Sequence, residues 1–321
     1  MRTPRNRNQF TIAPRMTATR EGQGPLPTEP IVRDDVLTLG PEGQLVGILS
    51  QPAQGTPPGR PNTTSAGAPD QAFIILNAGV LHRVGPHRLH VTLARRLAAA
   101  GRPGLRLDLG GIGDSIASSD ATSFRDSAVA DTRAAMTGLT EATGARRFIL
   151  FGVCAGADNS MATALVDDRV AGIVLVDPHT YPTRRGQLRY LRTRVAERGG
   201  PRDVLRWALG VAERRVRLTL AARARRDEPP QSEGREPPPL ATFRDQLTTL
   251  VDRGVRILTV YSGIHGPRYN HADQVFELFP TLRGRIDRVY FATANHTFTE
   301  LGVQAELIDA VVGWINKTWM R

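Results

Sequence analysis

Residues 147–157 read Arg147-Phe148-Ile149-Leu150-Phe151-Gly152-Val153-Cys154-Ala155-Gly156-Ala157. An apolar run of strand length ends in small residues and passes directly into residues 155–165, whose apolar spacing is helical. Glycines on both sides of Val153-Cys154-Ala155 let the chain turn sharply, so Cys154 sits at the C-terminal end of a strand and the N-terminal end of a helix. There the helix dipole and the free N–H groups of the first turn favour a thiolate over a thiol. A lone cysteine is usually a small buried hydrophobe. Its place in a strand–turn–helix junction makes Cys154 a candidate nucleophile instead.

Outward from this junction the pattern is strand then helix, repeated. Residues 72–76, 105–109, 171–176, 254–261 and 287–293 are short β-rich runs. Helical spacing covers 86–100, closed by Gly101, and then 123–142, 272–279 and 302–319. Ahead of these, 36–39 and 45–50 flank Gly40-Pro41-Glu42-Gly43 and predict an antiparallel hairpin, followed by a Pro/Gly/Thr-rich loop over 51–70. Such alternation specifies an α/β chain with a mostly parallel central sheet and helices on both faces. One stretch breaks it: about eighty residues separate Val176 from Val255, too many for a plain connection. We read residues 179–245 as an inserted helical cap with a mobile Pro/Glu-rich crossing at 227–239, residues 31–178 and 246–321 as the core, and 1–30 as a disordered leader in which Met16 is an alternative start.

Counting residues removes several function classes. One cysteine excludes an intrachain disulfide and a multi-cysteine zinc site, and no other metal site is read. The net charge is +11, and Lys317 is the only lysine among 42 basic residues. Residues 1–20 contribute +5 and residues 179–245 contribute +8, which leaves the rest at −2. A near-neutral body with basic appendages argues against a nucleic-acid surface and allows a local acidic partner. Residues 1–30 carry no secretory apolar region, and no apolar run is long enough to span a bilayer, so a cytoplasmic protein is expected. The Gly-rich residues 108–115 (DLGGIGDS) lack the order and the downstream acid of a dinucleotide site, so no cofactor is expected and a tight sheet-edge loop is.

A thiol nucleophile needs a base. His296, in Ala294-Asn295-His296-Thr297-Phe298, follows the last predicted strand and so falls on the same sheet edge as Cys154. Asp177, directly after the strand that follows the junction, is the favoured acid to orient it, with Asp273 as the alternative. The N–H groups of Ala155 and Val80 are the candidate oxyanion donors, the latter in the loop Asn77-Ala78-Gly79-Val80, where Gly79 permits close approach to substrate. His82, Arg83, His87 and Arg88 continue that loop to a helix start and are candidates for holding an anionic substrate group.

With these residues in order, residues 36–319 resemble an α/β-hydrolase. More narrowly, NAGVLHRVGPHRLHVTLARRLAAAGRP at 77–103, LDLGGIGDS at 107–115, LFGVCAGAD at 150–158 and ANHTFT at 294–299 resemble the hydrolases associated with exosortase gene clusters. Dienelactone hydrolases share a cysteine at the position of Cys154, and pancreatic-type lipases share an acid in an Asp-Pro pair, as at Asp177-Pro178. Most α/β-hydrolases carry serine where Cys154 stands, and an acid where this chain has Gly263-Ile264-His265-Gly266.

A Cys–His pair forms an acyl-thioester intermediate, which suits exchange with thiols, amines or alcohols better than attack on unactivated esters. A capping insertion would protect that intermediate from water, and its arginines would suit the phosphates of coenzyme A or an acidic acyl carrier protein. The expected activity is therefore acyl transfer or hydrolysis at a thioester or activated ester. The rival expectation is a catalytically silent protein of the same fold that binds a ligand or partner.

Overall fold

The computed structural model describes residues 32–53, 70–117, 123–197, 235–263 and 268–319, together with 200, 202–203, 205–207, 209–211, 213, 217 and 266. The expected leader with Met16, residues 54–69 of the expected loop, and residues 227–234 of the expected crossing lie outside them.

Strands β1 (Val32–Leu39) and β2 (Leu45–Pro52) form the hairpin, closed by Gly43 N–H donating to the Gly40 carbonyl at 3.1 Å. Strands β3 (Gln71–Ile75), β4 (Gly104–Leu107), β5 (Arg147–Val153), β6 (Val170–Val176), β7 (Arg256–Ser262) and β8 (Asp287–Phe291) follow. Among the described residues they make one eight-stranded sheet in the order β1-β2-β4-β3-β5-β6-β7-β8. The β1–β2 and β2–β4 pairs are antiparallel and the remainder parallel, so β3 and β5 to β8 end on a common edge.

The helices α1 (Leu89–Ala99), α2 (Phe124–Thr143), α3 (Ala155–Val166), α4 (Arg184–Ala196), α5 (Leu240–Asp252), α6 (Gln274–Leu278) and α7 (Leu301–Trp319) are placed by the alternation of the strands. Along β5, Phe148 and Leu150 join the core on one face with α2, α3 and α5, while Ile149, Phe151 and Val153 join the other with α1 and α7. α5 runs through the boundary expected at residue 245, and its Phe243, Leu247 and Leu250 are buried in the first of these cores. α4 is capped by Thr183, whose hydroxyl accepts from Gly186 N–H at 3.0 Å, and it is seated by Asn270 Nδ2 on the Gly186 carbonyl at 2.7 Å.

One expected helix start differs. The spacing predicts a helix from Pro86, but Pro86–Arg88 is a 3₁₀ turn and α1 begins at Leu89, because His87 and Arg88 are left-handed, with φ of 47° and 63°. The bend is closely packed: a Cβ on Gly85 would lie 2.4 Å from the ring of His90, which is fully buried.

Candidate active site

Cys154 stands between β5 and α3 with φ 56° and ψ −116°, a conformation rarely tolerated outside glycine. The turn holds because its flanks have no side chains. A Cβ on Gly152 would come within 2.0 Å of the Gly156 carbonyl carbon, and one on Gly156 within 2.6 Å of the Asn77 carbonyl oxygen. The chain is pinned there by Cys154 N–H donating to the Val176 carbonyl at 2.9 Å. The same close approach brings the loop after β3 against the start of α3, where Ala78 and Cys154 pack on one core cluster.

Asp177 follows β6, is fully buried, and also takes a left-handed φ of 48°. Its Oδ1 accepts from Ser262 N–H at 2.7 Å, and its Oδ2 accepts from the Ser262 hydroxyl at 2.7 Å. Oδ2 also lies 2.7 Å from His296 Nδ1, in the loop after β8. His296 is hydrogen-bonded in turn to the Cys154 thiol, so the three groups form a chain along the sheet edge. The bond to Asp177, then the bond to Cys154, raise the pKa of His296 to about 10, against the opposing effect of burial. Cys154 moves the other way: the His296 hydrogen bond is the leading cause, and the Arg235 charge and Ala155 N–H add to it. Both shifts favour a thiolate–imidazolium pair.

Asp273, the alternative acid, is at the surface, where Arg288 Nε donates to it at 2.7 Å. Of the expected oxyanion donors, Ala155 N–H is directed at Cys154, while Val80 is 85% exposed on the loop where Gly79 takes a φ of 63°.

Arg83 is committed elsewhere than to a substrate anion. Its guanidinium ion-pairs with buried Asp108 and with Asp114, the latter at 2.7 Å, and Arg83 N–H donates to Asp108 Oδ1 at 2.7 Å. Asn77 Nδ2 adds a bond of 2.9 Å to the same carboxylate, which ties the loop after β3 to residues 108–115. The ligand atoms of His82, Asp108 and Asp114 lie within 4.8 Å of one another. The Arg83 guanidinium touches all three, with His82 Nε2 2.8 Å from Nη1, and so supplies the charge a cation would bring. His87 and Arg88 are exposed at the bend before α1, and the His87 carbonyl accepts from Gln304 Nε2 at 3.4 Å.

Three polar residues beside Cys154 escaped the sequence reading. Arg235 Nη1 donates to the Asp177 carbonyl at 2.9 Å and lies 3.9 Å from Cys154 Sγ, while its Nε and Nη2 face both carboxylate oxygens of Asp158. His179 Nε2 is 3.1 Å from Asp158 Oδ1. Burial works to raise the Asp158 carboxyl, and the bonds from His179 and Arg235 outweigh it and hold the group below its ordinary range. Asp158 has a sequence signal, one helical turn after Cys154 on α3, and His179 lies two residues after Asp177. Arg235 has none, since it sits in a segment whose composition reads as mobile. Asp158 and His179 also line a cavity of about 380 Å³, with Val129 of α2 and Met161 and Leu165 of α3 among its apolar walls.

A family model described as the alpha/beta hydrolase fold matches residues 71–213. The chain has the α/β-hydrolase fold. Among solved structures of this fold it is similar to a Pyrococcus furiosus esterase, at 14% identity and a TM-score of 0.53, covering 91% of this chain and 92% of that one. It is likewise similar to an alpha-beta serine hydrolase homologue from Coxiella burnetii, at 17% identity and a TM-score of 0.50, covering 88% and 97%. A Mycobacterium tuberculosis puromycin-hydrolyzing peptidase matches at 16% identity and a TM-score of 0.52, covering 90% of this chain and 39% of that chain. No curated protein matches in sequence. Among the described residues no helix is long and apolar enough to cross a membrane.

Proposed function

We propose that the protein is a cysteine-dependent α/β-hydrolase-fold enzyme of the exosortase-associated type, which forms an acyl-Cys154 intermediate from a thioester or activated ester. The reading rests on one observation above the others: the chain Asp177–His296–Cys154, with 2.7 Å between its first two members, at the C-terminal ends of the parallel strands β5, β6 and β8. The Cys154 thiolate attacks the acyl carbonyl, and the oxyanion that forms takes the Ala155 and Val80 N–H groups as donors. Collapse breaks the bond to the leaving group, which departs with the His296 proton. An incoming thiol, amine, alcohol or water then gives its proton to His296, attacks the acyl-thioester and releases Cys154 as thiolate.

The partner follows from charge. α4 turns Leu188, Leu191 and Val195 outward, flanked by Arg184, Arg185, Arg189 and Arg192, with no acid on the helix. A basic amphipathic face of this kind supports an acyl donor carried on coenzyme A or on an acidic carrier protein. It also supports the insertion between β6 and β7 as a cap.

Incubation with a panel of acyl thioesters, read by intact mass, tests the proposal. Wild type gains the acyl mass, Cys154→Ala does not, and adding water, amine or thiol acceptors discharges the adduct to different products. Full turnover by Cys154→Ala on every donor the wild type accepts would sink it.

A further inference from the structure

The geometry points to Arg235, carried by the segment between β6 and β7, as a residue of the active site that helps hold Cys154 as a thiolate. This rests on the reading of Cys154 as a nucleophile.

Arg235 reaches the site on a short extended stretch before α5, anchored by the Tyr181 hydroxyl donating to the Pro238 carbonyl at 2.7 Å. Its guanidinium is held on two edges. Asp158 takes Nε and Nη2 in a fork, and the Asp177 carbonyl takes Nη1 at 2.9 Å, which leaves Nη1 3.9 Å from Cys154 Sγ. The Arg235 side chain is only 23% exposed, so its charge acts on the sulfur through little water. His179 braces the far side of Asp158.

Asp158 is therefore a clamp: it holds two edges of the guanidinium and fixes where the remaining donor points. A free arginine would swing into solvent, and a bare Asp158 would repel the thiolate from one helical turn away. The arrangement also explains why an acid stands so near a nucleophile that must be anionic. Two cations, His296 and Arg235, approach the sulfur from two different parts of the chain, the loop after β8 and the stretch before α5.

The test is the pH dependence of Cys154 alkylation by iodoacetamide, followed by mass, in wild type, Arg235→Gln, Arg235→Lys and Asp158→Asn, with circular dichroism confirming folding. Loss of the charge in Arg235→Gln raises the midpoint by about one pH unit and slows alkylation about tenfold at pH values below both midpoints. Arg235→Lys, which keeps the charge without the fork, falls between, and Asp158→Asn shifts the midpoint less than Arg235→Gln. A structural role alone leaves the midpoint in place, so wild-type midpoints in both Arg235 variants overturn the inference. The two readings fail separately. A midpoint that moves while no thioester acylates Cys154 sinks acyl transfer and keeps the Arg235 assignment; acyl adducts with an unmoved midpoint do the reverse.

Discussion

At the scale of single residues, the bond between His296 Nδ1 and Asp177 Oδ2 decides how the site titrates. The ion pair with Cys154 persists from the lowered thiol pKa up to the raised imidazole pKa of about 10, and it collapses to neutral imidazole and thiolate above that. Asp177→Asn removes the leading cause of the imidazole shift. Because Ser262 already donates to both carboxylate oxygens, the asparagine amide has a poorly matched site and turns an N–H toward Nδ1, the wrong partner for the tautomer needed. The expected outcome is an alkaline limb of kcat/KM that moves well below about pH 10, with a loss on the order of 100-fold at neutral pH. An unchanged alkaline limb in the variant would remove Asp177 from the mechanism. The choice of Asp177 over Asp273 was open in the sequence because both follow strands. It turns on which carboxylate is buried under the histidine loop, and that depends on strands brought together from 85 residues apart.

At the scale of elements, the junction of β5 and α3 was the most legible part of the chain, because its signal is local: an apolar run, two glycines and a helical run. The glycines matter through a non-local contact the sequence does not display. Gly156 lets α3 start against the carbonyl of Asn77, which sets the loop bearing Gly79 and Val80 beside Cys154. In Gly156→Ala the new Cβ meets backbone, so the loop must give way. We expect a stability loss of about 1–3 kcal/mol by denaturant titration. Turnover should fall further than that loss explains, since the proposed oxyanion donors are displaced. Retained kcat at wild-type stability would show the loop to be indifferent to the glycine. The same contrast explains the two misplacements. The bend at His87 and Arg88 sits where Gly85 packs on His90, and the placement of Arg235 depends on Asp158, which lies 77 residues earlier; periodicity and composition carry neither.

At the scale of the whole molecule, the uneven charge and the buried titratable groups together set how stability depends on pH. His90 lies between α1 and the sheet, edge-on to Phe151 at 6.0 Å, and neither ring nitrogen makes a hydrogen bond of normal geometry. Burial first, and the nearby Arg106 charge second, depress its pKa to about 3 from an unfolded value of 6.5. Between those values the unfolded chain binds a proton that the native chain refuses, so stability is lost as pH falls from 6.5 toward 3, by roughly 5 kcal/mol in full. Asp167, held at about 2 chiefly by Arg169, acts later, as pH falls from 3.8 to 2. His90→Leu removes the first of these without touching the site, because the ring is not among the groups around Cys154. Denaturant titrations at a series of pH values should show a slope between about pH 6 and pH 4 that is shallower by about 1.4 kcal/mol per pH unit in this variant, with the Asp167 window unchanged. A wild-type slope in His90→Leu would mean that His90 takes up its proton in the native state, and that the core between α1 and the sheet admits charge.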